Sequence, residues 1–453
     1  MGGNPVAAHS YSPRTASTRM KVLQVSDSYP PAKGGLERAV HALATGLSAD
    51  GTEVSVATLG RNGAEPPSLD APSLDGSVTI HRLDGWTRFL RRFTADPSHQ
   101  FHPTAPDPAL VRRLQEIIDR QRPDIVHAHG WILHSCLRLH LPPTTALVAT
   151  LHDYGLNCAK KTLVHRETLD TVCPGPSIRR CLACASAFYG APKGVPLVLG
   201  LAESRHRLGR VTMFLPISAA VADACLKGVG PERFTVVPSF VPDTVSTEGQ
   251  SVDTSDFLPH KNFLLFVGAI GPHKGIDTLL RAHRLMRNPI PLVVVGMLRP
   301  DSPPFETPPF DIPPFETPAG DSAARPVTVL TDLSHEQVIA AMRLARIVCV
   351  PSRWAEPQGL VAIEAMTVGT PVVASDVGGL REVVHHERTG LLVRPGNTES
   401  LAAALDRLLD DPGLRTQLVD AGRIRAHDYT ESTVIPDVRR AYTQALARRS
   451  SGL

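Results

Sequence analysis

The chain has 453 residues, 47 Lys and Arg against 44 Asp and Glu, and a formal charge of +3. That length exceeds one ordinary core and calls for roughly two to four domains, while the near balance of charge removes any global attraction to nucleic acid and leaves an acidic ligand to a local site. No apolar run is long enough to cross a bilayer, the first nineteen residues lack the apolar core of a secretion signal, and Val6 stands where a myristoylation signal needs serine or threonine. The reading is a cytoplasmic chain with a disordered tail over 1–19.

From Met20, KVLQVS reads as a strand, DSYPPAKGG as a loop, LERAVHALATGLSADG as a helix and EVSVATL as a second strand, which together make a βαβ unit. A helix from Pro108 to Arg120 follows, then the strands DIVHAH, ALVATLHD and VTMFLPIS and a helix from Ala219, giving a first doubly wound α/β domain over 20–238. Residues 239–260 are polar and proline-punctuated and suit a linker. The pattern restarts over 261–431 with NFLLFVGAI, the helix IDTLLRAHRLM and the strands PLVVVG, VTVL, RIVCVPS, TPVVAS and GLLV. Within it, 303–320 repeats PPFETP and reads as an extended insertion, because proline at that density excludes helix and central strand. The segment 432–453 has helical spacing and is expected to cross back to the first domain. Two doubly wound domains joined in this way set their strand ends across a cleft, and ligands of such sheets bind there.

The stretch EPQGLVAIE carries the densest signal. Pro357 suits the first turn of a helix, and Leu360, Val361, Ile363 and Met366 recur at helical spacing, so a helix is expected from about Pro357 with those residues on one face. Its leading amides, around Gln358 to Val361, form an anion seat that Gly359 leaves open. Glu356 lies just outside this seat, and Glu364 lies ~10 Å along the helix. A nucleotide diphosphate sugar has the matching layout, with a sugar and a ribose diol flanking two phosphates, and a carboxylate suits the hydroxyls at either end.

Glu-Pro-x-Gly-Leu-Val-x-x-Glu-Ala-Met, followed by Gly-Thr-Pro-Val-Val-Ala-Ser and a glycine pair, resembles the donor site of retaining glycosyltransferases of the family-four type, the group 1 glycosyltransferases with the GT-B fold. The likeness extends to Gly34-Gly35, the strand ending HAHG, the LPIS strand, the segment from Val267 to Gly275 and RTGLLV. The resemblance implies that Glu364 takes the ribose, Glu356 the donor sugar and its transition state, the backbone of Gly359, Leu360 and Val361 the diphosphate, Lys274 the leaving group, and Gly34-Gly35 the phosphates and reacting sugar. It also places His129, one of two histidines on the same side of a strand end with His127, near the bond being broken. One departure stands out: Ala269 occupies the place of a usual arginine, with His273 and Arg353 as nearby substitutes.

His152 and Asp153 end a strand and are expected to orient an acceptor. Cys158, Cys173, Cys181 and Cys184 follow within twenty-seven residues, and the last two have chelating spacing; a structural zinc and reduced thiols both fit, and a disulfide suits a cytosolic chain less. WTRFLRRF mixes arginines with aromatics, which suits peripheral contact with an anionic membrane surface or else a solvated helix with an apolar underside. The expected function is transfer of a sugar from a nucleotide diphosphate sugar to an acceptor hydroxyl on a glycolipid, polysaccharide or small glycoside, with no cofactor needed for catalysis. The rivals are a non-catalytic sugar-nucleotide binder that partners an assembly, and an epimerase or phosphorylase of the same fold.

Overall fold

The computed structural model describes residues 19–32, 34–60, 72–93, 102–164, 173–296 and 326–451. The tail over 1–18 and the insertion over 303–320 lie outside the described residues. The first sheet contains β1 (Lys21–Ser26), β2 (Glu53–Leu59), β3 (Ser73–Asp75), β4 (Val78–Leu83), β5 (Ile125–His129), β6 (Ala146–Leu151) and β7 (Met213–Pro216). Their order across the sheet is β3-β4-β2-β1-β5-β6-β7, parallel throughout except for β3, which pairs antiparallel with β4. Helices α1 (Gly35–Ala49), α2 (Pro108–Gln121), α3 (Leu133–Cys136), α4 (Ile178–Tyr189), α5 (Ala191–Arg205) and α6 (Ala219–Cys225) accompany it.

The second sheet runs β10-β9-β8-β11-β12-β13 and is wholly parallel. Its strands are β8 (Leu264–Val267), β9 (Leu292–Val295), β10 (Val327–Leu330), β11 (Ile347–Val350), β12 (Val372–Ser375) and β13 (Leu391–Val393). The accompanying helices are α7 (Ile276–Leu285), α8 (His335–Leu344), α9 (Leu360–Val368), α10 (Leu380–Val383), α11 (Thr398–Asp410) and α12 (Pro412–Ala426), and the chain closes with α13 (Glu431–Ser450). Each sheet is covered on both faces, so its strands read as continuous apolar runs: IVCV and VVAS are almost entirely buried.

Two features were not legible in the sequence pattern. The strand VTIHRL joins the first sheet beside β2. A helical hairpin, α4 with α5, follows the cysteine-bearing turn, although α5 contains Pro192, Gly194, Pro196 and Gly200, which ordinarily argue against helix. Tertiary contact overrides that local preference: a side chain at Gly194 would strike the Ala185 carbonyl, so the bare glycine lets the two helices approach.

The segment 239–260 is held against the second domain rather than spanning open solvent. Val241, Val245 and Leu258 are buried in its core, and Val241 exchanges backbone hydrogen bonds with Tyr429 (2.9 Å) and Glu431 (3.0 Å). From there α13 returns to the first domain and buries Val434, Ile435, Val438, Ala441, Tyr442 and Ala445 against α1 and β6. The Tyr442 hydroxyl shares a 2.7 Å hydrogen bond with Nδ1 of the fully buried His127. Tyr442→Phe leaves that nitrogen without its partner and should lower unfolding free energy by about 1–2 kcal/mol, read as a shift in the urea midpoint; an unchanged midpoint would show that the bond contributes nothing to holding α13.

Candidate active site

Glu356 stands in the loop between β11 and α9, beyond the carboxyl end of a central strand. The helix begins at Leu360, not near Pro357, because residues 355–358 are committed elsewhere. The Glu356 carbonyl accepts from the Gly379 amide (2.7 Å), and the Gln358 side chain clamps Ser239, accepting from its amide (2.9 Å) and donating to its carbonyl (2.8 Å). Gly359 then turns the chain with φ 111°, a left-handed value that a side chain would disfavour, and α9 follows. The expectation of a single apolar face on this helix is also corrected: Ala362, Ile363, Glu364, Ala365, Met366 and Val368 are all buried, as befits a helix enclosed on most sides.

The Glu356 carboxylate is almost fully enclosed and receives four hydrogen bonds. Lys274 Nζ donates to Oε1 (2.9 Å) and Oε2 (3.0 Å), Ser352 Oγ donates to Oε2 (2.9 Å), and Trp354 Nε1 donates to Oε2 (2.8 Å). Burial opposes ionisation, but the charge and hydrogen bond of Lys274, with Ser352 and the neighbouring His273, outweigh it and hold this carboxyl below its ordinary value. The ammonium also lies 5.2 Å from the centre of the Trp354 ring. Trp354 and Ala355 reach across to the core of the first domain, where the buried Tyr154 phenol feels the charge of Glu356.

On the facing domain, β5 ends at His129 and β6 runs into His152, and the two rings share a 3.0 Å hydrogen bond between His129 Nδ1 and His152 Nε2. His127 and His129 are 4.1 Å apart between ring centres, and Nε2 of His129 is buried without a partner among the described residues. Burial holds His127 at about 3 and His152 at about 4 and pushes His129 well below its ordinary value. These rings are therefore neutral at ordinary pH and act as hydrogen-bonding groups, not as cations. The sequence-based expectation paired His152 with Asp153; the structure instead sets His152 behind His129, while Asp153 accepts from the Gly155 amide (2.7 Å) and lies 3.9 Å from Lys161.

Gly34 caps α1 and Gly35 opens it, and the fourth residue of that helix, Arg38, reaches to the second domain, where Nη1 donates to Glu364 Oε1 (3.2 Å). Burial raises the Glu364 carboxyl above its ordinary value, partly offset by Arg38. A second bridge runs the other way: both oxygens of Glu382 accept amide hydrogens at the start of α6, from Ala219 and Ala220, each at 2.9 Å. The described cleft thus brings Glu356, Lys274, Glu364 and the start of α9 to one side, and His129, Gly34 and Gly35 to the other.

The profile described as Glycosyl transferases group 1 matches residues 253–425, and that described as Glycosyltransferase Family 4 matches residues 33–245. The chain belongs to the group 1 glycosyltransferases. Glycogen synthase of Mycobacterium tuberculosis is 27% identical over 444 residues, covering 94% of this chain and 95% of the relative. Sucrose-phosphate synthase from Thermosynechococcus elongatus superposes with a TM-score of 0.64 at 21% identity, over 95% of this chain and all of the other, and Anabaena HepE, solved with UDP-glucose, does so with 0.59 at 14% over 94% of this chain and all of its own. The fold is GT-B.

In this glycosyltransferase, Cys158, Cys173, Cys181 and Cys184 line one cavity of about 30 Å³ between α4 and the turn after β6. None of the four is in a disulfide, and among the described residues no three His, Cys, Asp or Glu side chains converge closely enough to hold an ion. Ala269 is half-buried after Gly268, and Arg353, one of its expected substitutes, lies 3.4 Å from Asp277. Among the described residues no helix is long and apolar enough to cross a membrane. In WTRFLRRF, Trp86 and Phe89 are 60% and 63% exposed, with the Arg88 guanidinium 4.7 Å from the Phe89 ring.

The sequence reading missed Ser352, Trp354, the side chain of Gln358, Arg38 and Asp27. Asp27 accepts from the amides of Trp131 (2.7 Å) and Ile132 (2.6 Å), which fixes the turn after His129. Its position one residue past β1, at a strand end, is the signal that could have found it.

A depressed carboxyl contributes stability above its unfolded value and loses it as pH falls through the folded one. Lys274→Met removes the ammonium that holds Glu356 ionised, and should cost about 2 kcal/mol near pH 7. That is below the fully buried range because the Lys274 side chain is 25% exposed. The deficit should shrink toward about pH 4, where the isolated carboxyl is protonated. Urea unfolding at both pH values checks this; a deficit independent of pH would show that the ion pair is not its source.

Proposed function

We propose that this glycosyltransferase moves a hexosyl group from a nucleoside diphosphate sugar to an acceptor hydroxyl with retention at the anomeric carbon. The observation that carries the reading is the buried Lys274–Glu356 pair at the opening of α9. The leading amides of that helix and its positive end suit two phosphates, Glu356 suits hydroxyls of the sugar on one side, and Glu364 suits the ribose diol on the other. Lys274 spends two donor directions on Glu356, which leaves its third hydrogen for a phosphate oxygen. The fold neighbour HepE, solved with UDP-glucose, supports a donor of this class.

In the reaction the bond between the anomeric carbon and the phosphate oxygen breaks while the acceptor oxygen bonds to that carbon. The acceptor proton passes to the departing phosphate oxygen, so the products are a glycoside and a nucleoside diphosphate. Charge builds on the leaving phosphate, where Lys274 and the α9 amides are already oriented, and this preorganised field lowers the barrier without reorganisation at the moment of transfer. The positive character that develops on the sugar ring falls beside the ionised Glu356, and the unpartnered Nε2 of His129 offers a hydrogen bond from the opposite wall. Domain apposition through Glu382 and Arg38 excludes water, the competing acceptor.

The acceptor belongs to the first domain, where His129, Asp153 and the thiol-lined turn follow the ends of β5 and β6. Exposed Trp86 and Phe89 beside Arg88 suit an anionic lipid surface, which would bring the chain to a lipid-linked glycan.

Glu356→Gln is expected to lower kcat at least about a hundredfold while nucleoside diphosphate affinity, read by titration calorimetry, changes less than about threefold. Loss of binding and turnover together would remove Glu356 from the chemical step. A parent protein that releases no nucleoside diphosphate from any UDP-, GDP- or ADP-sugar would overturn the proposed reaction.

A further inference from the structure

We propose that Arg38 is a positioning residue of the nucleotide site: from the first domain it holds the Glu364 carboxylate of the second in the orientation that accepts the ribose hydroxyls. The inference rests on the assignment of Glu364 to the ribose made above.

Glu364 is a charged group in an enclosed place, its side chain only 5% exposed on a helix whose other residues, Thr367 apart, are apolar. An enclosed carboxylate needs a cation or it takes up a proton, and a protonated acid loses half of its value as an acceptor for a diol. Among the described residues its ion-pair partners are Arg38, at 3.2 Å, and His335, at 3.8 Å. Burial and the adjacent guanidinium hold His335 at about 4, so it is neutral at ordinary pH and cannot supply the charge. Nδ1 of His335 lies 2.7 Å from Arg38 Nη1, which lets the imidazole accept from the guanidinium and fix its direction. Behind it Glu248 lies 4.0 Å from His335 Nε2. Arg38 is therefore the cation that serves Glu364, and it comes from another domain.

Arg38 engages Oε1 of Glu364. A carboxylate offers about four acceptor positions, so Oε2 keeps its capacity for an incoming hydroxyl while the guanidinium fixes the plane of the group. The placement also couples two events. Arg38 stands three residues after Gly35 in the first turn of α1, so its contact with Glu364 requires the two domains to be apposed, and a nucleotide held through the oriented Glu364 favours that apposition in return.

The test separates this role from that of a plain domain clamp. The probe is whichever of UDP, GDP or ADP most raises the melting temperature of the full-length chain, together with its 2′,3′-dideoxy analogue, which keeps the base and both phosphates and lacks the diol. Titration calorimetry on the parent, Arg38→Met and Arg38→Lys gives the dissociation constants. The expected result is that Arg38→Met weakens the ribonucleotide roughly tenfold and the dideoxy analogue less than about twofold, with Arg38→Lys recovering part of the loss. Equal weakening of both ligands would reduce Arg38 to a clamp, and no weakening of either would give it no role in binding; each overturns the proposal. A parent that binds both ligands equally, or binds neither, overturns the ribose assignment of Glu364 itself, a failure visible before any variant is made.

Discussion

The site depends on one enclosed carboxylate being kept charged. Removing an anion from water is costly, and Glu356 is stable only because an ammonium, a hydroxyl and an indole converge on its two oxygens. Those three donors come from different places: Lys274 from the turn before α7, and Ser352 and Trp354 from the strand exit that carries Glu356 itself. The enclosed pair therefore cannot assemble until β8 and β11 are paired, and it fixes the loop from which α9 emerges. The same donors that satisfy the acid at rest are charges and dipoles placed beside a reacting sugar diphosphate.

A second constraint is that the two domains share the duty of satisfying each other's polar groups. Glu382 occupies the open amides of α6 and Arg38 reaches Glu364, while Gln358 clamps the connecting segment at Ser239. These contacts are polar, whereas α13 makes a long apolar return across the first domain. Apolar burial of that kind is non-directional and stable, while the polar bridges are individually modest and exchangeable.

The first domain meets this with a different kind of group. His127, His129 and His152 are neutral through burial; His127 bonds Tyr442 of the returning helix and Thr150 of β6, and His129 bonds His152. The neutral imidazoles make hydrogen-bonding groups at the end of β5, while the first domain's charge toward the cleft comes from Arg38 and from Lys161 beside Asp27 and Asp153.

The doubly wound architecture was legible because parallel strands buried on both faces read as apolar runs alternating with helical spacing. The residues of Glu356 to Glu364 were legible because proline, glycine and acids sit at fixed offsets in one short stretch. The sequence by itself determined those local facts: which runs form strands, where a glycine opens a turn, and which acids flank a helix start. Tertiary structure alone decided that α9 begins at Leu360, that Gly194 and its proline neighbours form a helix, that His152 stands behind His129, and that Arg38 meets Glu364 across 326 positions of chain. The reason is that burial and pairing of charge depend on distances between segments remote in sequence, and no local pattern encodes them until the two sheets are assembled.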